Sequence, residues 1–256
     1  MNEKISSQLI GIISAISILI LASGCAGKGA VFEKAELKQK PSVQSVWPAP
    51  PEQARIRYLG SLKTSEIGDE VQKLSVSDIL LGKKKEDSNN VLTSPYGVHS
   101  NSNGKVFVTD TGNSGLVVFD LIQNTVSHWG KSGSGLLTKA LGITSDTQGN
   151  VYVSDTYDKR IVVFDKDGNY LNAFGGKDVL VIPSGLAFND TTQQLFVADA
   201  KKNQILVFDN QGKIQFTIGE KGNEPGKFNF PTNISLNKEN SLLFVADSMN
   251  FRVQVF

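Results

Sequence analysis

From about residue 94 onward, short runs of β-branched and aromatic residues alternate with turn-forming pairs, and no stretch sustains a 3.6-residue apolar stripe over three turns. Four of these runs fall into register: Val106-Phe107-Val108-Thr109-Asp110, Val151-Tyr152-Val153-Ser154-Asp155, Leu195-Phe196-Val197-Ala198-Asp199 and Leu243-Phe244-Val245-Ala246-Asp247. Their aspartates stand 45, 44 and 48 residues apart. Nine residues after each Asp comes a Phe (Phe119, Phe164, Phe208 and Phe256), closing a second β-rich run such as Ile161-Val162-Val163. Ten residues beyond the first three of these lie Trp129-Gly130, Phe174-Gly175 and Ile218-Gly219. Thirteen or fourteen residues before the aspartates stand Gly97, Gly142, Gly185 and Asn233.

Each unit therefore predicts four short strands. One lies near the Gly97-type position, the second ends at the Asp, the third at the Phe and the fourth at the aromatic-Gly or Ile-Gly pair. Asn103-Gly104, Gln148-Gly149, Asp167-Gly168 and Asn210-Gln211-Gly212 supply hairpin turns, because Gly and Asn accept positive φ at low cost. Many strands are apolar on both faces, as stacked sheets require. Four-stranded units at this spacing predict an all-β fold, a β-propeller with about four blades visible over residues 94–256.

The pattern resembles NHL repeats, in which a strand ends in Asp-Thr, an Asn and an Arg follow, and a second strand closes on Phe-Asp-x-x-Gly. Asp155-Thr156, Arg160 to Asp165 and Asp167-Gly168 fit it, and Asp247 to Phe256 fits almost throughout. The first unit departs from it with Gly115 at the Arg position, and the third with Gln204 after Asn203. The resemblance implies a six-bladed ring. The units here amount to three and most of a fourth, so the chain reads as C-terminally incomplete. A longer natural chain, a truncated gene or an open array closed by oligomerisation would each account for that.

Residues 9–22 form an uncharged, mostly apolar run preceded by Lys4, too short for a comfortable membrane-spanning helix. Residues 1–24 are read as an export signal. Leu21-Ala22-Ser23-Gly24-Cys25 resembles the bacterial lipobox, which implies cleavage between Gly24 and Cys25 and acylation of Cys25, palmitate included. Several acyl chains make such an anchor stable. The residue after Cys25 is Ala26, not Asp, which implies the outer membrane in a Gram-negative host. An uncleaved membrane anchor with an incidental cysteine is the alternative. Together these features resemble a bacterial NHL-repeat lipoprotein. Residues 25–51, rich in Lys, Glu, Gln and Pro, are read as a tether. Residues 52–93 are read as a strand over Arg55–Leu62, able to complete a blade, and a loop packing on the propeller through Ile79-Leu80-Leu81. The charge run from Lys83 to Asp87 reads as a solvated loop.

Charge narrows the function. Twenty-six basic against 25 acidic residues, with four arginines, give no nucleic-acid footprint. A single cysteine and two histidines, His99 and His128, leave little for a metal centre, and no cofactor motif or nucleophile–base arrangement is visible. Asp110, Asp155, Asp199 and Asp247 recur with the scaffold, and a residue in every unit is expected to hold a turn, the alternative being a ring of carboxylates facing a ligand. Tyr157, Lys159, Lys202, Met249 and Phe251 fall in the turns after those aspartates and form the candidate binding face. The expected function is a membrane-anchored envelope binding or scaffold module for a protein, peptide or glycan. A propeller hydrolase or lyase using a metal, and a purely structural envelope component, are the alternatives. No catalytic, metal or cofactor residue is assigned.

Overall fold

The computed structural model describes residues 91–237 and 242–256, together with the short pieces 33–37, 46–47, 51, 53, 55–57 and 62–64. Gly24, Cys25, the export signal, most of the tether, Ile79–Leu81 and the charge run lie outside the described residues. Four antiparallel sheets, each a simple meander, form the body of the molecule. The first blade comprises β5 (Pro95–Ser100), β6 (Lys105–Asp110), β7 (Leu116–Asp120) and β8 (Thr125–Trp129). The second comprises β9 (Ala140–Ser145), β10 (Val151–Asp155), β11 (Arg160–Phe164) and β12 (Tyr170–Gly175). The third comprises β13 (Pro183–Asn189), β14 (Gln194–Asp199), β15 (Gln204–Asp209) and β16 (Ile214–Ile218). The fourth has three strands among the described residues: β17 (Pro231–Asn237), β18 (Leu242–Asp247) and β19 (Arg252–Val255). This is a β-propeller arrangement of meander blades, with β5, β9, β13 and β17 innermost.

The side-chain alternation of a strand sends successive residues to opposite neighbours. On β10, Val151 and Val153 pack with Phe107, Leu116, Val118 and Trp129 of the first blade. Tyr152 packs instead with Leu186, Phe188 and Val197 of the third. Phe196, Ile205 and Val207 of the third blade in turn meet Leu243 and Val245 of the fourth. An inner blade thus buries both its faces along its second and third strands, while its outermost strand (β12 or β16) stays largely exposed. The connections between blades are pinned by one buried apolar residue each, Leu137, Leu180 and Phe228. Gly175, at φ 98°, makes room for one of them: a Cβ there would stand 2.6 Å from the Leu180 side chain.

The innermost strands approach one another closely. A Cβ on Gly142 would lie 1.9 Å from the Ser184 carbonyl oxygen of the next blade, so this position accepts no side chain without displacing a strand. A hydroxyl stitches the same seam. Ser154 Oγ accepts the Gly142 N–H and donates to Ser184 O at 2.7 Å. Thr109 Oγ1 does the same between Gly97 and Leu141 O.

Of the strand expected over residues 55–62, residues 58–61 lie outside the described residues. Ile56–Arg57 (β3) pairs with Val46–Trp47 (β2), and Leu62–Thr64 (β4) pairs with Glu33–Leu37 (β1). β1 pairs in turn with β8, so the first sheet gains two strands on its outer edge, in the order β4-β1-β8-β7-β6-β5. Leu62, Val91 and Leu92 cover the apolar face of Val108, Val117, Phe119 and Val126 that no earlier blade covers.

Candidate binding site

The repeated aspartates end the second strand of each blade and are all buried. Each carboxylate accepts main-chain N–H groups from the connection that enters its own blade. Asp110 receives Thr93 N at 2.6 Å and Ser94 N at 2.7 Å, and Asp155 receives Thr138 N and Lys139 N. Asp199 receives Val181 N and Ile182 N, and Asp247 receives Asn229 N at 2.7 Å. The first three are answered by the residue that follows: Thr111, Thr156 and Ala200 donate their N–H groups to Ser94, Lys139 and Ile182 carbonyls. Burial pushes the Asp110 carboxyl up, but the N–H donors of Thr93, Ser94, Gly112 and Asn113 outweigh it and hold it below its ordinary value. Asp247 is likewise raised by burial and brought below its ordinary value by Asn229 N–H, the Asn250 amide and the Arg252 guanidinium.

A cation completes the turn end of each blade, and it is not always the arginine of the repeat. Arg160 donates to the Ser134 and Leu136 carbonyls. Arg252 donates to the carbonyls of Asn223, Glu224 and Lys227 and, through Nε, to Asp247 at 2.9 Å. In the third blade, where Gln204 stands at the arginine position, Lys202 Nζ reaches the Val179 carbonyl. In the first, where Gly115 leaves a gap, Lys131 Nζ reaches the Asn113 and Ser114 carbonyls. Among the described residues, no group of three or more His, Cys, Asp or Glu side chains is placed to hold a metal ion.

The residues named from sequence as a binding face occupy the β10–β11, β14–β15 and β18–β19 turns, all at the end of the sheets that carries the connections. Tyr157, Met249 and Phe251 are exposed, Phe251 at 94%. Lys159, Asn203 and Phe251 hold the left-handed position of their turns, with φ of 56°, 58° and 52°. A bulky aromatic in that conformation is uncommon. These side chains are spread over three blades, and Lys202 is turned inward to the Val179 carbonyl.

A concavity of about 450 Å³ lies instead along the four innermost strands. Among the described residues it is lined by Tyr96, Val98, Leu141, Ile143, Leu186, Asn233 and Ile234, together with Gly97, Gly142 and Gly185. Sequence reasoning passed over Tyr96 and named Asn233 only as a register position, not as a site residue. The register contained the signal for the second, since Asn233 stands where the other three units have glycine.

Comparison with known proteins agrees with the architecture. Residues 179–256 match a family described as a 6-bladed beta-propeller, and residues 137–164 match the NHL repeat. Among solved structures, a streptogramin B lyase matches at 15% identity over 64% of this chain and 54% of its own, with a TM-score of 0.52. A catalytically inactive virginiamycin B lyase from Staphylococcus aureus, solved with quinupristin, matches at 18% identity over 64% and 55%, with a TM-score of 0.51. An auxiliary nutrient binding protein from Bacteroides thetaiotaomicron matches at 15% identity over 62% and 46%, with a TM-score of 0.50. The chain spans about half the length of these structures. The likeness establishes a shared fold, a β-propeller built of NHL-type blades, and transfers no activity. No match is found among curated proteins.

Proposed function

We propose that the protein is a lipid-anchored binding module of the cell envelope. Acylated Cys25 holds it to the membrane, residues 25–51 act as the tether, and the propeller presents the concavity along its inner strands to a ligand. In a Gram-negative host the anchor lies in the outer membrane. The observation that carries the binding reading is the concavity itself, about 450 Å³ with walls drawn from all four blades. That volume falls within the range of about 300–1,000 Å³ usual for small-ligand sites. The wall side chains are held on strands whose neighbours are locked by the buried aspartates and the hydroxyl stitches, so the site is preformed. The repeated aspartates are consumed in that locking and are not offered to a ligand.

Two experiments test this. Metabolic labelling with a fatty acid in a bacterial host is expected to label the wild-type chain and not Cys25→Ser, and an unlabelled wild type overturns the anchor. Amide hydrogen exchange in the presence of a panel of peptides and oligosaccharides is expected to give protection at residues 96–98, 141–143 and 233–234. Binding without protection there overturns the site.

A further inference from the structure

At the end of the sheets opposite the connections, the turn between the third and fourth strands is built alike in the first three blades. A carboxylate at the close of the third strand accepts main-chain N–H groups from the turn. Asp120 receives Ile122 and Gln123, Asp165 receives Asp167 and Asn169, and Asp209 receives Gln211 and Lys213. The brace fixes the backbone and leaves the two tip side chains free to vary. They are Lys166-Asp167 in the second blade and Asn210-Gln211 in the third, as a solvated tip would have. In the first they are Leu121-Ile122, 44% and 77% exposed. Ile122 shares a cleft with Lys105, Lys166 and Asp167, so the second blade already lies on that side of it and leaves it open. The Leu121 N–H donates to the Gly104 carbonyl, which seats the tip on the adjoining turn. Two branched apolar side chains are thus held outward from a braced backbone.

A second observation says what covers them. β1 pairs with β8 beside this turn, with Lys34 opposite Thr125, the first residue of β8. Residues 25–32 reach about 29 Å at most when fully extended. An acylated Cys25 therefore keeps the lipid surface within that distance of Glu33, and so close to the first blade. At the other end of that blade the turn from Thr111 to Gly115 carries only polar side chains and glycine. The apolar tip decides which end meets the lipid.

From this we infer that the β7–β8 turn rests its Leu121-Ile122 tip in the interfacial layer of the membrane that holds Cys25, with the connection-bearing end of the propeller turned away. This inference rests on the anchor reading above. The contact is apolar, because Lys105 and Lys166 beside the tip are answered by Asp120 and Asp167, with Lys166 Nζ 2.7 Å from the Asp167 carboxylate. Anionic headgroups therefore add little. Membrane affinity scales with the apolar area buried, so the acyl chains supply attachment and the tip supplies orientation.

The test uses the full chain, acylated in a bacterial host and placed in phosphatidylcholine vesicles containing spin-labelled lipid. Gln123→Cys, Gln211→Cys and Tyr157→Cys each receive an environment-sensitive fluorophore, the Cys25 thiol being taken up by its acyl chain. The probe at position 123 is expected to shift to the blue and be quenched by the spin label, and those at 211 and 157 to do neither. Adding Leu121→Ser and Ile122→Ser to the Gln123→Cys chain is expected to abolish the shift and the quenching while the protein still floats with the vesicles. Both side chains are exposed, so that variant is expected to melt with its parent. Flotation without quenching at 123, quenching at 157 in its place, quenching that survives the two serines, or quenching that requires phosphatidylglycerol would each overturn the apolar tip contact and leave the anchor standing. A chain that carries no lipid and does not float overturns the anchor reading, and the orientation with it.

Discussion

The second and fourth blades carry closely similar residues and bury them differently. Ile161 and Val163 on β11 correspond to Val253 and Val255 on β19, each pair following an Asp and an Arg at the same spacing. Ile161 and Val163 are 0% and 4% exposed, while Val253 and Val255 are 64% and 54% exposed. The strands have the same alternation and the same inner ladder partner, since β11 pairs with β10 as β19 pairs with β18. The surroundings differ: β11 is also paired with β12 on its outer side, and Leu186, Phe188 and Val197 of the third blade lie against the second. The repeat thus encodes a strand with two apolar faces, and burial of the second face comes from the sheet stacked upon it.

The largest expected effect sharpens this contrast. Ile161→Ala is expected to cost about 2–5 kcal/mol, the usual loss for emptying a closed core site. Val253→Ala at the corresponding position is expected to stay within about 0.5 kcal/mol, as exposed substitutions do. Equilibrium unfolding in urea measures both, and equal losses would break the comparison.

The inner-strand seam gives the next effect. Gly142→Ala drives a Cβ into the Ser184 carbonyl and is expected to cost about 3 kcal/mol, at the upper end for overpacking. Asn233→Ala, at the matching position of the fourth blade, is expected to change the unfolding midpoint very little.

The arginines come third. Arg252 Nε is bonded to buried Asp247, and its terminal nitrogens hold three carbonyls, whereas Arg160 Nε is buried without a partner. Arg252→Met is therefore expected to cost about 2 kcal/mol and Arg160→Met about 1, on the scale of charge-assisted hydrogen bonds to partly exposed groups.

The smallest effect is in pH. Asp110 and Asp247 sit below their ordinary values in the folded chain. Such groups contribute stability that is complete above the unfolded carboxylate value and disappears as pH falls through the folded one. Stability is expected to fall on acidification below about pH 4, the ordinary range for an aspartate. Asp110→Asn and Asp247→Asn are each expected to flatten that acid limb in unfolding curves taken at successive pH values. An acid limb unchanged in both variants would contradict the carboxylate–amide contacts.

Much of this architecture was legible in the sequence because it is periodic. The Asp–Phe–aromatic-Gly register placed the four strands of each unit, and the recurrence of Asp110, Asp155, Asp199 and Asp247 suggested a role in the scaffold. Features that occur once were not legible. Pairing of Glu33–Leu37 with β8 depends on a long return of the chain, and no local pattern announces it. Lys131 and Lys202 replace the repeat's arginine from positions outside the motif, so the gaps at Gly115 and Gln204 could be seen but not their substitutes. The proposed site was the least visible part. The turn residues Tyr157, Met249 and Phe251 stand out in a linear reading, whereas the concavity drawn from all four blades appears only when the innermost strands are set side by side.

The most direct test of the account is amide hydrogen exchange of the full chain with and without the tightest-binding member of the panel of peptides and oligosaccharides. Slowed exchange at residues 96–98, 141–143 and 233–234, with the turns at 156–159 and 248–251 unchanged, is the predicted result. Slowed exchange at those turns with the inner strands unaffected would contradict it and return the binding face to Tyr157, Met249 and Phe251.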